Sequence, residues 1–401
     1  MNVLGLLPES TDAQALTKLS FLDDELSALM RRGVRFHTVG HSGIGRECNH
    51  FVRHTHPRKR KLGTSFDAVW SSLRYRGCDA LASNSVVERI ELVRIQRSIE
   101  RIVRAEKIDL IHSHWARPSG TAGALAKRLT GVPLVITLRG ADVFEVPEIG
   151  YGKYDDAYFR RRLRYAFQMA DRIIGISSAV IERAHTLGAI PSKTCVIHKG
   201  VDHESFSPGN QGDAKQRLDL SDAPTILFVG NLGPQKGVRD LLEAFQVVRQ
   251  HVPETRLVIC GKGPLEEEIQ EFRDIHGLKS HLELRGFVGR SLLPSYFQAC
   301  DVFVLPSVTE AAGNVLLEAA ACERPAVGSR VGGIPEYISD GETGLLCEPR
   351  NPGNLAERIL CLLRDSSAAA EMGRKARVRV VESFSFDRMV DQLLSVYRDV
   401  L

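Results

Sequence analysis

The chain has no window near the roughly 18 consecutive apolar residues that a membrane-spanning helix requires. Its first apolar run, Val3 to Leu7, stops at Pro8-Glu9-Ser10 with no charged flank before it, so neither a secretory leader nor a transmembrane segment is expected. The 8 cysteines (Cys48, Cys78, Cys195, Cys260, Cys300, Cys322, Cys347, Cys361) lie far apart, without a C-x-x-C pair or a histidine at metal-site spacing. That pattern argues against a disulfide scaffold and a structural zinc, and predicts a reduced, cytoplasmic protein. Helix-turn-helix, zinc-finger and aromatic strand signatures are also missing, so nucleic acid is not an expected partner.

What is present is an ordinary globular mix: 401 residues, 43% hydrophobic and 25% charged, enough for two or three domains. The net charge of +4 hides an asymmetry. Residues 1–200 carry 31 Lys+Arg against 20 Asp+Glu, or +11, and residues 201–401 carry 22 against 29, or −7. A basic half suits an anionic partner such as phosphate groups or a membrane surface, and equally suits a solvated face.

Short β-rich apolar runs alternate with helical patterns throughout, the signature of βα units with parallel sheets. In the first half the strands are expected at Val3 to Leu7, Val34 to Val39, Asp109 to His114, Pro133 to Leu138, Arg172 to Ile176 and Cys195 to His198. Leu22, Leu26, Leu29 and Met30 keep a helical period, as do Val86, Ile90, Val93, Ile99 and Ile102. Gly40 to Ser83, with the basic run Arg53 to Lys61, reads as a long excursion. After the turn-rich Ser205 to Asp213 the alternation restarts: strands Thr225 to Val229, Arg256 to Cys260, Leu282 to Leu284 and Val302 to Leu305 are separated by helices Val238 to Arg249, Leu265 to Ile275 and Leu292 to Ala299. An amphipathic helix, Phe384 to Leu401, closes the chain. The expected fold is α/β with two Rossmann-like domains, 1–203 plus 384–401 and 204–383, whose parallel sheets face a cleft that binds ligand at the strands' carboxyl ends.

Three segments bear chemistry. Strand Thr225 to Val229 runs into Gly230-Asn231-Leu232-Gly233-Pro234-Gln235-Lys236-Gly237, where backbone amides and the Lys236 charge suit an anion. Gly261-Lys262-Gly263-Pro264 repeats the design after the next strand. Either could also be a plain turn. In Pro306 to Cys322, Glu318 is the only charge between Ala311 and Cys322, and a buried carboxylate there needs donors, from an arginine or backbone or from vicinal hydroxyls of a ligand. Eight residues of continuous helix would set Glu310 and Glu318 about 80° apart, so Glu310 is expected on the loop before the helix that Gly313 and Asn314 open.

Followed by Gly332-Gly333-x-Pro-Glu336 and Gly341-x-x-Gly344, these landmarks closely resemble the nucleotide-sugar-binding domain of the family 4 retaining glycosyltransferases, which have the GT-B fold. In the first half, His112-Ser113-His114-Trp115, Gly131-Val132-Pro133 and Thr137-Leu138-Arg139-Gly140-Ala141-Asp142 resemble the family's acceptor-domain segments, and Gly200-Val201-Asp202 the segment leading into the donor domain. Three departures stand out. Asn231 replaces a common arginine, Arg139 replaces a usual histidine, and Leu7-Pro8-Glu9-Ser10 follows the first strand in place of a glycine-rich loop.

The resemblance implies a retaining, metal-independent glycosyltransferase that moves a sugar from a nucleotide-diphospho-sugar to a hydroxyl acceptor, such as a sugar or lipid-linked polysaccharide precursor. No D-x-D triplet is present to hold a diphosphate through a divalent ion, and no cofactor is implied. Lys236, Asn231 and the Gly313, Asn314 and Val315 backbone would meet the diphosphate, and Glu318 the ribose. Gly261, Lys262 and Gly263 would lie on the base side, and Glu310 with Arg139 at the reaction centre. His114, Trp115 and Asp142 would face acceptor, although His112, His114 and Trp115 suit a core equally well. A peripheral place on an anionic membrane is suggested by Arg53 to Lys61 and Tyr158 to Tyr165. The alternative function is an epimerase or a non-catalytic nucleotide-sugar-binding relative.

Overall fold

The computed structural model describes residues 1–6, 20–39, 52–54, 86–152 and 157–401. These form two compact units, Met1–Ile197 with Val390–Leu401, and His198–Met389. The junctions fall a few residues from those expected, because the Gly200–Val201 backbone pairs with the start of the closing helix inside the second unit. The Val201 amide donates to the Phe384 carbonyl at 2.9 Å, and a Cβ on Gly200 would lie 2.8 Å from the Phe386 Cα.

The first unit holds strands β1 (Asn2–Leu6), β2 (Arg35–Val39), β3 (Val52–His54), β4 (Leu110–His114), β5 (Leu134–Leu138), β6 (Arg172–Gly175) and β7 (Thr194–Val196) in the order β3-β2-β1-β4-β5-β6-β7. The second holds β8 (Thr225–Val229), β9 (Arg256–Cys260), β10 (Leu282–Gly286), β11 (Val302–Leu305), β12 (Ala326–Ser329) and β13 (Leu345–Cys347) in the order β10-β9-β8-β11-β12-β13. All these pairings are parallel. Each sheet therefore steps outward from its first strand, reverses, and continues on the other side, which is the doubly wound Rossmann order. In the second sheet the reversal lies between β8 and β11, and it is at the carboxyl ends of such strands that doubly wound sheets bind ligands.

Strands such as β8 and β5 are buried along their whole length, as expected for parallel strands covered on both faces. The helix Val238–His251 buries Leu241, Leu242, Phe245 and Val248, each worth about 1.5–3 kcal/mol relative to exposure. The closing helix begins at Phe386 rather than Phe384 and runs to Val400. Its Tyr397 is fully buried and meets the His112 Nδ1 of β4 at 2.7 Å.

Several boundaries differ from expectation. Val52–His54, inside the presumed excursion, is the edge strand β3; residues 40–51 and 55–85, with most of the basic run to Lys61, lie outside the described residues, as does the segment Leu7 to Ser10. Strand β7 lies one to two residues earlier than expected, at Thr194–Val196. Strands β12 and β13 lie where the sequence pattern predicts none, being four and three residues long and too short to display a period. In the basic segment Tyr158 to Tyr165, part of the helix Ala157–Met169, Arg160, Arg161 and Arg164 are exposed but Arg162 is buried.

Candidate active site

The loops that follow β8, β9, β11 and β12 are locked together through their backbones. The Gly230 amide donates to the Cys260 carbonyl at 3.0 Å, the Leu232 amide to Lys262 at 3.0 Å, and the Leu265 amide back to Leu232 at 3.0 Å. In the same way, the Val308 amide donates to the Gln235 carbonyl at 2.9 Å, and the Gly333 amide to Glu310 at 3.2 Å. Three glycines with positive φ make these approaches feasible. A Cβ would fall 1.8 Å from the Pro306 carbonyl oxygen at Gly237, 1.8 Å from that of Gly230 at Gly261, and 1.7 Å from that of Glu310 at Gly332. No other residue type fits such contacts without moving main chain.

This scaffold brings Lys236 and Glu310 together. Lys236 ends a single 3₁₀ turn, Pro234–Lys236, which Gly237 caps in the left-handed region. Glu310 leaves the loop after β11, and the two side chains form an ion pair. Ser307 Oγ donates to Glu310 Oε2 at 3.4 Å. Gly313, at φ 87°, is the N-cap of the helix Asn314–Ala321 and provides no side-chain cap. The amides of that first turn, including Asn314 and Val315, point out of the helix end and carry its positive dipole. Glu310 is thus on the loop, as expected, while Glu318 lies within the helix.

Glu318 is buried and accepts a bond from Arg290 Nη1 at 3.1 Å. Arg290 comes from the loop after β10, and no spacing in the sequence marks it. Asn231 Nδ2 donates to the Lys262 carbonyl at 3.0 Å, bracing the Gly261–Gly263 turn. Lys262 itself is exposed.

In the first unit, β5 delivers Arg139 into a buried polar cluster. Its Nη2 donates to Glu25 Oε2 at 2.9 Å and to His114 Nδ1 at 2.8 Å. Because a guanidinium has no acceptor, His114 Nδ1 must accept, which places that ring's proton on Nε2. The indole of Trp115 lies 5.6 Å from the guanidinium. Glu25 is recognisable in the sequence as a charge on the apolar face of Leu22, Leu26 and Leu29. Asp142 spends its carboxylate on backbone: the amides of Ala116, Arg139 and Gly140 donate to it at 2.9, 3.1 and 3.0 Å. Burial pushes its carboxyl above the usual range, and those amides pull the other way. His112 is a core residue, held between Tyr397 and Thr137. Among the described residues, no group of three or more His, Cys, Asp or Glu side chains is placed to hold a metal ion, and no helix is long and apolar enough to cross a membrane.

The glycine contacts are testable. Gly332→Ala should lower the unfolding free energy by about 1–3 kcal/mol, read by urea denaturation. Gly289→Ala, with nothing within 4 Å of the added Cβ, should stay within about 0.5 kcal/mol of the wild type. Equal stabilities for the two variants would show that the loops relax around the added carbon.

Two family models match the chain: Glycosyltransferase Family 4 over residues 21–205, and Glycosyl transferases group 1 over residues 210–379. The alpha-maltose-1-phosphate synthase of Mycolicibacterium smegmatis is 32% identical over 332 residues, covering 77% of this chain and 84% of the relative. The N-acetyl-alpha-D-glucosaminyl L-malate synthase of Bacillus anthracis is 29% identical over 75% of this chain and 77% of its own. In fold, the chain superposes on Anabaena Alr3699/HepE, solved in complex with UDP, with a TM-score of 0.78 at 19% identity and full coverage of both chains. The doubly wound sheets, the ordered glycine loops and these matches lead to one assignment: the chain belongs to family 4 of the glycosyltransferases and is a transferase of the GT-B fold.

Proposed function

We propose that the protein transfers a sugar from a nucleotide-diphospho-sugar to a hydroxyl acceptor, with retention at the anomeric carbon and without a metal ion. The observation that supports this best is the meeting of Lys236 and Glu310 beside the N-terminus of the helix Asn314–Ala321, at the reversal point of the second sheet. A lysine and a helix end together suit a diphosphate, and a carboxylate next to them suits a sugar hydroxyl. On this reading the incoming diphosphate takes Lys236 from Glu310. The carboxylate is thereby released to orient the sugar, while the first-turn amides stabilise charge on the departing phosphate. Glu318 holds the ribose hydroxyls, and the Gly261–Gly263 turn borders the base.

Lys236→Ala should weaken nucleotide-sugar binding by roughly 10- to 100-fold, because a charge-assisted bond is worth about 1.5–3 kcal/mol and Asn231, engaged with the Lys262 carbonyl, supplies no second cation. Titration calorimetry with UDP-, GDP- and ADP-sugars checks both the donor and the variant; unchanged affinity would remove the phosphate role.

The resemblance to retaining enzymes implies that the acceptor hydroxyl and the leaving phosphate meet the same face of the sugar, and the first-turn amides of the helix Asn314–Ala321 suit that phosphate. The leaving phosphate therefore deprotonates the incoming hydroxyl on the same face of the sugar, with no covalent glycosyl-enzyme. Glu310→Ala should cut turnover by at least about 100-fold, roughly 2.7 kcal/mol of transition-state stabilisation, with a smaller change in nucleotide affinity. NMR of the product's anomeric centre decides the stereochemistry, and an inverted product would refute retention. Activity measured after exhaustive chelation should match the untreated enzyme.

The acceptor belongs to the first domain. An anionic hydroxyl compound, free or lipid-linked, suits the +11 charge of residues 1–200, and the two relatives above are named for malate and for a sugar phosphate. The exposed Arg160, Arg161 and Arg164 also suit an anionic bilayer, at up to about 1 kcal/mol each. Sedimentation with phosphatidylglycerol vesicles at low salt should pull the protein down, and added salt should release it; equal partition onto neutral vesicles, or none onto either, would leave only the free acceptor.

A further inference from the structure

Each glutamate of the Glu310/Glu318 pair is matched to a cation from another loop. Glu310 faces Lys236, and Glu318 faces Arg290. The second match is built with more than one contact. The Glu318 side chain is only 10% exposed, in a helix otherwise made of Asn, Val, Leu and Ala. Arg290 Nη1 reaches its Oε1 at 3.1 Å. The same guanidinium lies over the ring of Phe206, 5.1 Å from the centroid, and Phe206 is itself fully buried. A planar cation held against an aromatic face and a carboxylate at once has little rotational freedom, so its bond to Oε1 restrains the carboxylate it touches. An ionised carboxylate has about four acceptor positions, so a bond from one guanidinium is compatible with a pair of vicinal hydroxyls on the same group.

We infer that Arg290 is a positioning residue: it orients the Glu318 carboxylate for a ribose diol and sets the preference of the site for ribonucleotides over 2′-deoxyribonucleotides. The inference rests on the proposed role of Glu318 at the donor ribose. On this reading Arg290 acts through that carboxylate.

The test is calorimetric binding of UDP, GDP and ADP, their 2′-deoxy counterparts and inorganic pyrophosphate to the wild type, Arg290→Gln and Arg290→Lys, with thermal unfolding of all three proteins. The wild type should favour the ribonucleotide of its preferred base by about tenfold or more, the loss of one hydrogen bond to a charged acceptor. Arg290→Gln should bring the two sugars within about two- to threefold while pyrophosphate binding stays unchanged, and Arg290→Lys, which keeps the charge but not the planar fork, should recover part of the preference. A merely structural arginine would lower the unfolding temperature and leave the ribose-to-deoxyribose ratio intact, and that result overturns the inference while the donor reading stands. If Arg290→Gln does not fold, full preference in Arg290→Lys overturns it equally. A wild type that binds the nucleotides without distinguishing the sugars also overturns it. A wild type that binds none of the three diphosphates overturns the donor reading, and this inference with it.

Discussion

At three points along the carboxyl edge of the second sheet a carbonyl oxygen occupies the space where any residue but glycine would carry its Cβ: Pro306 at Gly237, Gly230 at Gly261 and Glu310 at Gly332. Lys236, Asn231 and Glu310 all stand on main chain held by these contacts. Gly237 ends the turn that aims Lys236, Gly261 opens the turn that Asn231 braces, and Gly332 seats the main chain from which Glu310 projects. Main chain packed on main chain has few soft torsions, so the functional side chains start from fixed positions. Pre-organisation of this kind contributes to catalysis when the charge to be stabilised appears only in the transition state.

Charge matching follows from that rigidity. A buried carboxylate or ammonium without a partner costs several kcal/mol, and the loops that carry these groups are tied to one another through their backbones. Lys236 with Glu310, and Arg290 with Glu318, satisfy the constraint. A diphosphate can enter such a site only by exchanging partners, so binding and the release of Glu310 become one event on the proposed reading. The same logic governs Lys215 and Asp301 on the far side of β8. There the ammonium, 3.4 Å from the carboxylate, also donates to the Ala223 carbonyl at 2.9 Å, and Asp301 accepts the Thr225 amide at 2.7 Å. That network fixes the entry of the strand whose exit leads to Lys236.

Much of this is legible in the sequence alone. Strands β8, β9 and β11 are buried on both faces and read as unbroken apolar runs, and the helix Val238–His251 shows its buried stripe at Leu241, Leu242, Phe245 and Val248. The position of Glu310 on a loop follows from Gly313 and Asn314, which open the helix after it. What stays hidden is of two kinds. Elements of three or four residues, such as β3, β12 and β13, hold no period and are defined only by the neighbour they pair with. Partners distant in the chain depend on the strand order: Asn231 meets the Lys262 carbonyl because β8 and β9 are neighbours, while Arg290 reaches Glu318 from beyond β10, which β9 and β8 separate from β11. The order β10-β9-β8-β11 places loops side by side that are about 30 to 75 residues apart in sequence, and composition does not encode that adjacency.

The first unit shows how a substitution at one position is absorbed by its surroundings. A histidine can accept or donate, whereas Arg139 is a permanent cation and only donates. Buried as it is, it requires an anion, and Glu25 from the helix Ser20–Arg31 supplies one at 2.9 Å. The second bond, to His114 Nδ1, then forces that imidazole to stay neutral, since an imidazolium would have no lone pair to offer. Asp142 was expected to face the acceptor and Arg139 to neutralise a departing phosphate. The structure engages Asp142 with three amides and pairs Arg139 with Glu25. On the proposed reading Lys236 and the helix amides after Gly313 stabilise the phosphate charge, and the Arg139 cluster is a charge-balanced group at the carboxyl ends of β4 and β5, beside the half-buried indole of Trp115.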